Sequence, residues 1–150
     1  MNKSIRNILT AGALLLLSGC INDTAFHASH SLPGSKWDKR DTLSFQIDTL
    51  KLEQPLHLTT EVRTTKQYHY SFLSLIVEQR WGKGKTHRDT LVLDLKNKQD
   101  NKQTPIYLKS SDSPSIALKS QETKGEIRIW HFMKRENLPG ITDVGVRITR

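Results

Sequence analysis

From Trp37 onward the apolar residues recur at every second position, a period that places alternate side chains on opposite faces of an extended strand. Leu43, Phe45 and Ile47 alternate with Ser44, Gln46 and Asp48, while Leu56, Leu58 and Val62 share one parity opposite His57, Glu61 and Arg63. Tyr68 to Val77 carries apolar residues on both parities, which predicts a central strand or one that changes face at a bulge. Leu91 to Leu95, Ile106 to Leu108, Ile116 to Leu118, Glu126 to Met133 and Val144 to Thr149 bring the expected total to about eight strands. Between them, Trp81 to Lys85 predicts a hairpin loop and Asn97 to Thr104 a polar loop; Leu138-Pro139-Gly140-Ile141 predicts a type II turn joining the last two strands. No stretch of the mature chain combines helical periodicity with helix caps. The fold class is therefore all-β, an antiparallel β-sandwich with a jelly-roll-like arrangement.

The N-terminus follows a different pattern. Lys3 and Arg6 precede an unbroken Ile8 to Leu17 stretch dominated by leucine and alanine, and Leu17-Ser18-Gly19-Cys20 closes it. This is the order of a bacterial lipoprotein signal, with small residues before the cleavage point and a thiol that receives the acyl chains, palmitate among them. Cys20 is the only cysteine in 150 residues, so an internal disulfide and a multi-cysteine zinc site are both excluded. The expected organisation is a cleaved signal over 1–19, a lipidated tether over 20–35 rich in small and polar residues, and a β-sandwich over 36–150. Two or more acyl chains on Cys20 anchor such a chain to a membrane without a spanning helix. Loss of Lys3 and Arg6 with the signal lowers the formal charge from +8 to +6. In an exported protein this balance points to acidic lipids, glycans or proteins rather than nucleic acid.

The search for chemistry is less productive. Gly84-Lys85-Thr86 resembles the end of a phosphate-binding loop, but Gln79 occupies the place of its first glycine. His27 and His30 lie close together without an acidic ligand nearby, so no metal or cofactor is expected. No nucleophile motif occurs, and Asp38, Asp41, Asp48 and Glu53 read as solvated charges, so catalysis is not expected. Trp37, Trp81 and Trp130 are candidates for a sugar-stacking platform, which makes glycan binding the alternative function; core packing is the competing role. Asp23-Thr24-Ala25, Asp41-Thr42-Leu43, Asp48-Thr49-Leu50 and Asp89-Thr90-Leu91 match an Asp-Thr-apolar O-glycosylation signal of Bacteroidetes-type bacteria. Thr24, Thr42, Thr49 and Thr90 are the candidate acceptors, with Thr24 the most accessible if it lies in a tether. The same tripeptides also suit the start of a strand.

Taken in order, the lipobox, His30-Ser31-Leu32-Pro33, Trp37, Asp41-Thr42-Leu43 with Phe45, Arg63 before Tyr68-x-Tyr70, Asp89-Thr90, Met133, Leu138-Pro139-Gly140-Ile141 and Val144-Gly145-Val146-Arg147 resemble the gliding-motility lipoprotein family GldH. Three features depart from that pattern: Phe72-Leu73 stands where the family has an Asn-Leu pair, Met133-Lys134 where it has Met-Arg, and the polar Asn97 to Thr104 where a Gly/Trp-rich segment is expected after Asp89-Thr90. The resemblance implies a cell-envelope lipoprotein without known catalysis, and the lack of a strongly acidic run in Ile21-Asn22-Asp23-Thr24 points to an outer-membrane anchor facing the periplasm. Its implied partners are other lipoproteins of the gliding and secretion machinery. Trp37, Arg63, Tyr68 and Tyr70 are the candidate partner contacts, a structural role being the alternative for each, and Pro139 and Gly140 the candidate structural turn.

Overall fold

The computed structural model describes residues 24–48, 56–83, 86–95, 106–112 and 124–149. Among them run ten strands: β1 (Thr24–Ser31), β2 (Lys36–Asp38), β3 (Leu43–Ile47), β4 (His57–Thr65), β5 (Phe72–Trp81), β6 (His87–Asp94), β7 (Ile106–Asp112), β8 (Gly125–His131), β9 (Asn137–Pro139) and β10 (Ile141–Thr149). Eight of them form two four-stranded antiparallel sheets, sheet I in the order β1-β10-β4-β7 and sheet II in the order β3-β8-β5-β6. The first strand lies beside the last, and successive strands cross repeatedly from one sheet to the other. This is the interleaved order of an eight-stranded jelly roll, so the all-β sandwich expected from the alternation is the fold observed.

The period-two pattern builds the core directly. Leu58 and Val62 of β4 and Val144, Val146 and Ile148 of β10 point inward from sheet I. Phe45, Ile47, Leu73, Leu75, Val77, Leu91, Leu93, Ile127 and Ile129 meet them from sheet II. Each such side chain removed from water contributes about 1.5–3 kcal/mol, which makes this interface the main source of stability. The short ribbon of β2 and β9 closes one end, placing Trp37 and Leu138 opposite each other with no exposed surface.

The structure corrects four expectations. Residues 24–35 are not a tether: Thr24–Ser31 is an edge strand paired along β10, and Pro33–Ser35 is a 3-10 turn. The sequence hid this strand because its burial is partial and its side chains small, so its pairing comes from β10 rather than from its own apolar pattern. Second, the strand expected from Tyr68 begins only at Phe72; Tyr68 leaves the alternation to enter the core, where its hydroxyl donates to the Phe72 carbonyl at 2.8 Å. Third, Trp81 belongs to β5 rather than to the hairpin loop, because its ring packs over Gly125. Fourth, Pro139-Gly140 does not join the last two strands into a hairpin but carries the chain from the small ribbon into sheet I. The expected strand at 116–118, the polar loop at 97–104, the signal at 1–19, Cys20 and Thr49 lie outside the described residues.

Candidate partner-binding face

The outer face of sheet II is assembled from the even-numbered positions of β5, β6 and β8, because the odd-numbered ones, His87 and Asp89 at the start of β6 and half-buried Gly125 at the start of β8 apart, are committed to the core. Register fixes its rows. Ser74 lies opposite Val92, Ile76 is flanked by Thr90 and Trp130, and Glu78 is flanked by Arg88 and Arg128. Phe132, one residue beyond β8, is held next to Ser74 by donation of its N–H to the Ser74 carbonyl at 2.8 Å.

The face is divided into two halves of different chemistry. Toward the β2–β9 ribbon it is apolar: Phe132 is 65% exposed, Val92 58% and Phe72 47%, and they are the large exposed apolar side chains among the described residues. Half-buried Ile76 and Trp130 continue the patch beneath them. Large apolar side chains gathered on one half of a sheet face, rather than a lone exposed one, are the kind of surface an interaction site uses. Toward the opposite end the face is ionic. Glu78, only 4% exposed, accepts from Arg88 at 2.6 Å and from Arg128 at 3.3 Å. The Arg88 guanidinium, and then Arg128, hold the Glu78 carboxyl below the usual carboxylate range. Arg88 also lies over the Trp130 ring at 5.3 Å, so the ionic row and the apolar patch are joined by one side chain. Beyond it, Glu126 accepts from Ser44 and from Gln46 at 2.9 Å. These hydrogen bonds tie together the side chains of the ionic half, which borders the apolar patch at Arg88 and Trp130.

The residues singled out by sequence are distributed differently. Trp37 and Tyr68 have no exposed surface, so neither contacts a partner. Trp37 donates to the Asp41 carbonyl at 3.1 Å and meets the His131 ring edge-on, with centroids 5.5 Å apart. Burial pushes the Tyr68 phenol well up. Tyr70 is half-buried against Tyr68, ring centroids 5.4 Å apart. Arg63 is exposed on sheet I, across from Asp143, whereas the patch belongs to sheet II. The three tryptophans do not form a platform: Trp81 is 2% exposed and Trp37 fully buried, which leaves only Trp130 at the surface. Pro139 and Gly140 do form a turn, in which Gly140 takes φ +83°. Of the candidate acceptors, Thr42 and Thr90 are exposed, whereas Thr24 is half-buried and paired with Thr149. His27 and His30 do not converge on a common ligand: His27 Nε2 donates to Glu61, which also pairs with Arg147, and His30 Nε2 donates to the Ser44 carbonyl.

Phe72, Val92 and Phe132 were not legible as a site. Each is an ordinary apolar residue in a strand-rich stretch, and the only signal is that each has the opposite parity to its buried neighbours Leu73, Leu91 or Leu93, and Met133.

Comparison with known proteins matches residues 24–148 to the model of the GldH lipoprotein family, from the first residue of β1 to the penultimate residue of β10. The chain is 26% identical to a gliding motility lipoprotein GldH homolog of Christiangramia forsetii, covering 91% of this chain and 90% of the relative. It is 28% identical to the gliding motility lipoprotein GldH of Flavobacterium johnsoniae, covering 94% of this chain and 93% of the relative. No solved structure matches. The matched span contains the whole jelly roll, its closing ribbon and the outer face of sheet II, and the chain belongs to the GldH lipoprotein family.

Proposed function

We propose that this chain is a non-enzymatic accessory lipoprotein of the cell envelope that holds or stabilises partner proteins of the gliding or secretion machinery through the outer face of sheet II. The observation that carries this reading is the convergence of Phe72, Val92 and Phe132 on one half of one sheet. Aromatic and aliphatic anchors on a rigid face are what protein interfaces use as their energetic centre, and Arg88 over Trp130 adds the other enriched residue types at its edge. A binding role without catalysis suits this chemistry, because the accessible groups offer contact area, whereas the buried His131 is enclosed between the sheets. The anchor is assigned to the outer membrane facing the periplasm, since Ile21-Asn22-Asp23-Thr24 lacks the strongly acidic run of a surface-export signal.

The test is a mild-detergent recovery of the tagged lipoprotein from its native host, with mass spectrometry of what accompanies it. The Val92→Asp, Phe132→Asp variant is expected to lose co-purified envelope proteins by about tenfold or more while its melting temperature stays near that of the wild type. Unchanged recovery by the folded variant would overturn the assignment of this face.

A further inference from the structure

The start of β1 is the covalent link between the fold and the anchor. Only Ile21, Asn22 and Asp23 separate Cys20 from Thr24, the first residue of that strand. Four fully extended residue steps reach at most about 14 Å. An acyl-bearing Cys20 therefore holds the Thr24 end of the sandwich at the headgroup layer, and the intervening chain is too short to carry the domain away from it.

Register identifies what else lies at that end. Thr24 pairs with Thr149, and Thr149 pairs with His57, the first residue of β4. The β3–β4 connection leads there from Ile47, which pairs with Gly125; Gly125 in turn pairs with Trp81. Lys83 and Lys124 therefore flank the membrane-proximal end, with the Gly82 N–H donating to the Lys124 carbonyl at 3.0 Å. Both lysines are exposed. Arg80 beside them reaches Glu126 only at 3.9 Å, a distance at which a half-exposed pair holds weakly. Arg80 and Lys124 line an open cleft at this edge together with Gly82 and Asp48. The opposite end also carries cations, Lys134 and Arg135 among them, so charge alone does not select a membrane-facing surface. The length of the link does.

We propose that the sandwich stands end-on against the membrane, with Lys83, Lys124 and Arg80 contacting the phosphates of anionic phospholipid headgroups. The β2–β9 end and the apolar half of sheet II are then directed away from the bilayer. Two constraints cooperate in this arrangement: the short link limits distance, and the basic end limits tilt, since each lysine near an anionic surface adds attraction within a Debye length. The short anchor alone keeps the Thr24 end close to the bilayer but leaves the tilt of the domain free.

The proposal rests on acylation of Cys20, and two measurements on the full mature chain test it. In vesicles containing phosphatidylglycerol, the acylated protein is labelled with an environment-sensitive fluorophore at His57→Cys or at Lys134→Cys and quenched by a headgroup-spin-labelled lipid. Stronger quenching at position 57 is expected; equal quenching at both, or stronger quenching at 134, would overturn the orientation. In the second, the non-acylated Cys20→Ser chain is sedimented with phosphatidylglycerol vesicles. Lys83→Glu with Lys124→Glu is expected to lower binding about tenfold or more, and Lys134→Glu with Arg135→Glu to lower it much less. An unchanged value for the first pair, or an equal loss for both, overturns the headgroup contact. Loss of orientation with partner recovery still dependent on Val92 and Phe132 would refute this inference and leave the partner-binding face standing.

Discussion

Gly140 shows how one residue ties together parts of the chain that are distant in sequence. Its φ of +83° lies where a side chain is strained, and a Cβ built there would stand 2.3 Å from the Tyr68 backbone nitrogen and 2.7 Å from the Gln67 carbonyl carbon. Backbone on that side cannot yield, because the Thr65 N–H donates to the Gly140 carbonyl at 2.8 Å and the Gly140 N–H donates to Ser35 at 2.7 Å. Gly34 has a comparable φ of +62° but open space around it. Gly140→Ala is therefore expected to cost about 3 kcal/mol or more and Gly34→Ala about 1 kcal/mol. Thermal melts of the two variants check this, and equal shifts would show that the φ penalty alone governs both. The turn at Pro139-Gly140 was legible from residue type; the close approach of Tyr68, which makes the glycine irreplaceable, was not.

At the scale of elements, β1 is where sequence and structure diverge most. Ala25, Phe26 and Ala28 are only half-buried, so the strand lacks the strong alternation that revealed β3, β4 and β10. Its order is imposed by β10 on one side and by His30 on the other. The His30 ring packs on Phe45 at 4.8 Å and donates to Ser44 at 2.8 Å, bridging the edges of the two sheets. A chain beginning at residue 36, the boundary the composition suggested, would leave the β10 edge unpaired over its apolar core. Compared with a chain beginning at residue 24, it is expected to aggregate or melt at a clearly lower temperature. Size-exclusion chromatography and calorimetry would decide, and two equally stable monomers would show that β1 is dispensable. Strands β4, β5, β8 and β10 were legible because each carries several buried residues at one parity. Tyr68, with apolar neighbours on both parities, left the choice between strand and core loop to tertiary packing.

At the scale of the whole molecule, one pH-sensitive group is enclosed between the sheets. His131 has no exposed surface, and neither ring nitrogen has a partner of full hydrogen-bond geometry, although the Trp37 and Glu136 backbones lie near enough to favour the protonated ring weakly. Burial dominates and lowers the pKa of His131 below its ordinary 6.5. The unfolded chain then takes up this proton more readily than the folded one. The stabilisation is fully present above pH 6.5, diminishes below it, and is lost as pH falls through the depressed folded value. His131→Leu, which removes the titrating group while filling much of its volume, is expected to flatten the fall in melting temperature between pH 7.5 and 5, to a degree set by the size of the pKa depression. An unchanged slope would place the titration elsewhere. Gln79 is another buried polar group; its Oε1 accepts from the Trp81 indole N–H at 3.3 Å, whereas its Nε2 is without a partner.

What the sequence determined by itself is local: period-two alternation fixes which residues share a strand face, and Pro139-Gly140 specifies a turn. Family membership follows from the order of motifs along the chain. The tertiary structure alone decided which faces are covered. Leu91 and Val92 are adjacent apolar residues of one strand, yet one is 7% exposed and the other 58%, because the second sheet lies on one side only. The same rule brings Phe72, Val92 and Phe132 together on the open side, whereas Trp37 is buried in the closing ribbon and Tyr68 by leaving the strand. Burial depends on residues that are close in space and distant along the chain, and alternation carries no information about which of two apolar faces will meet the opposing sheet.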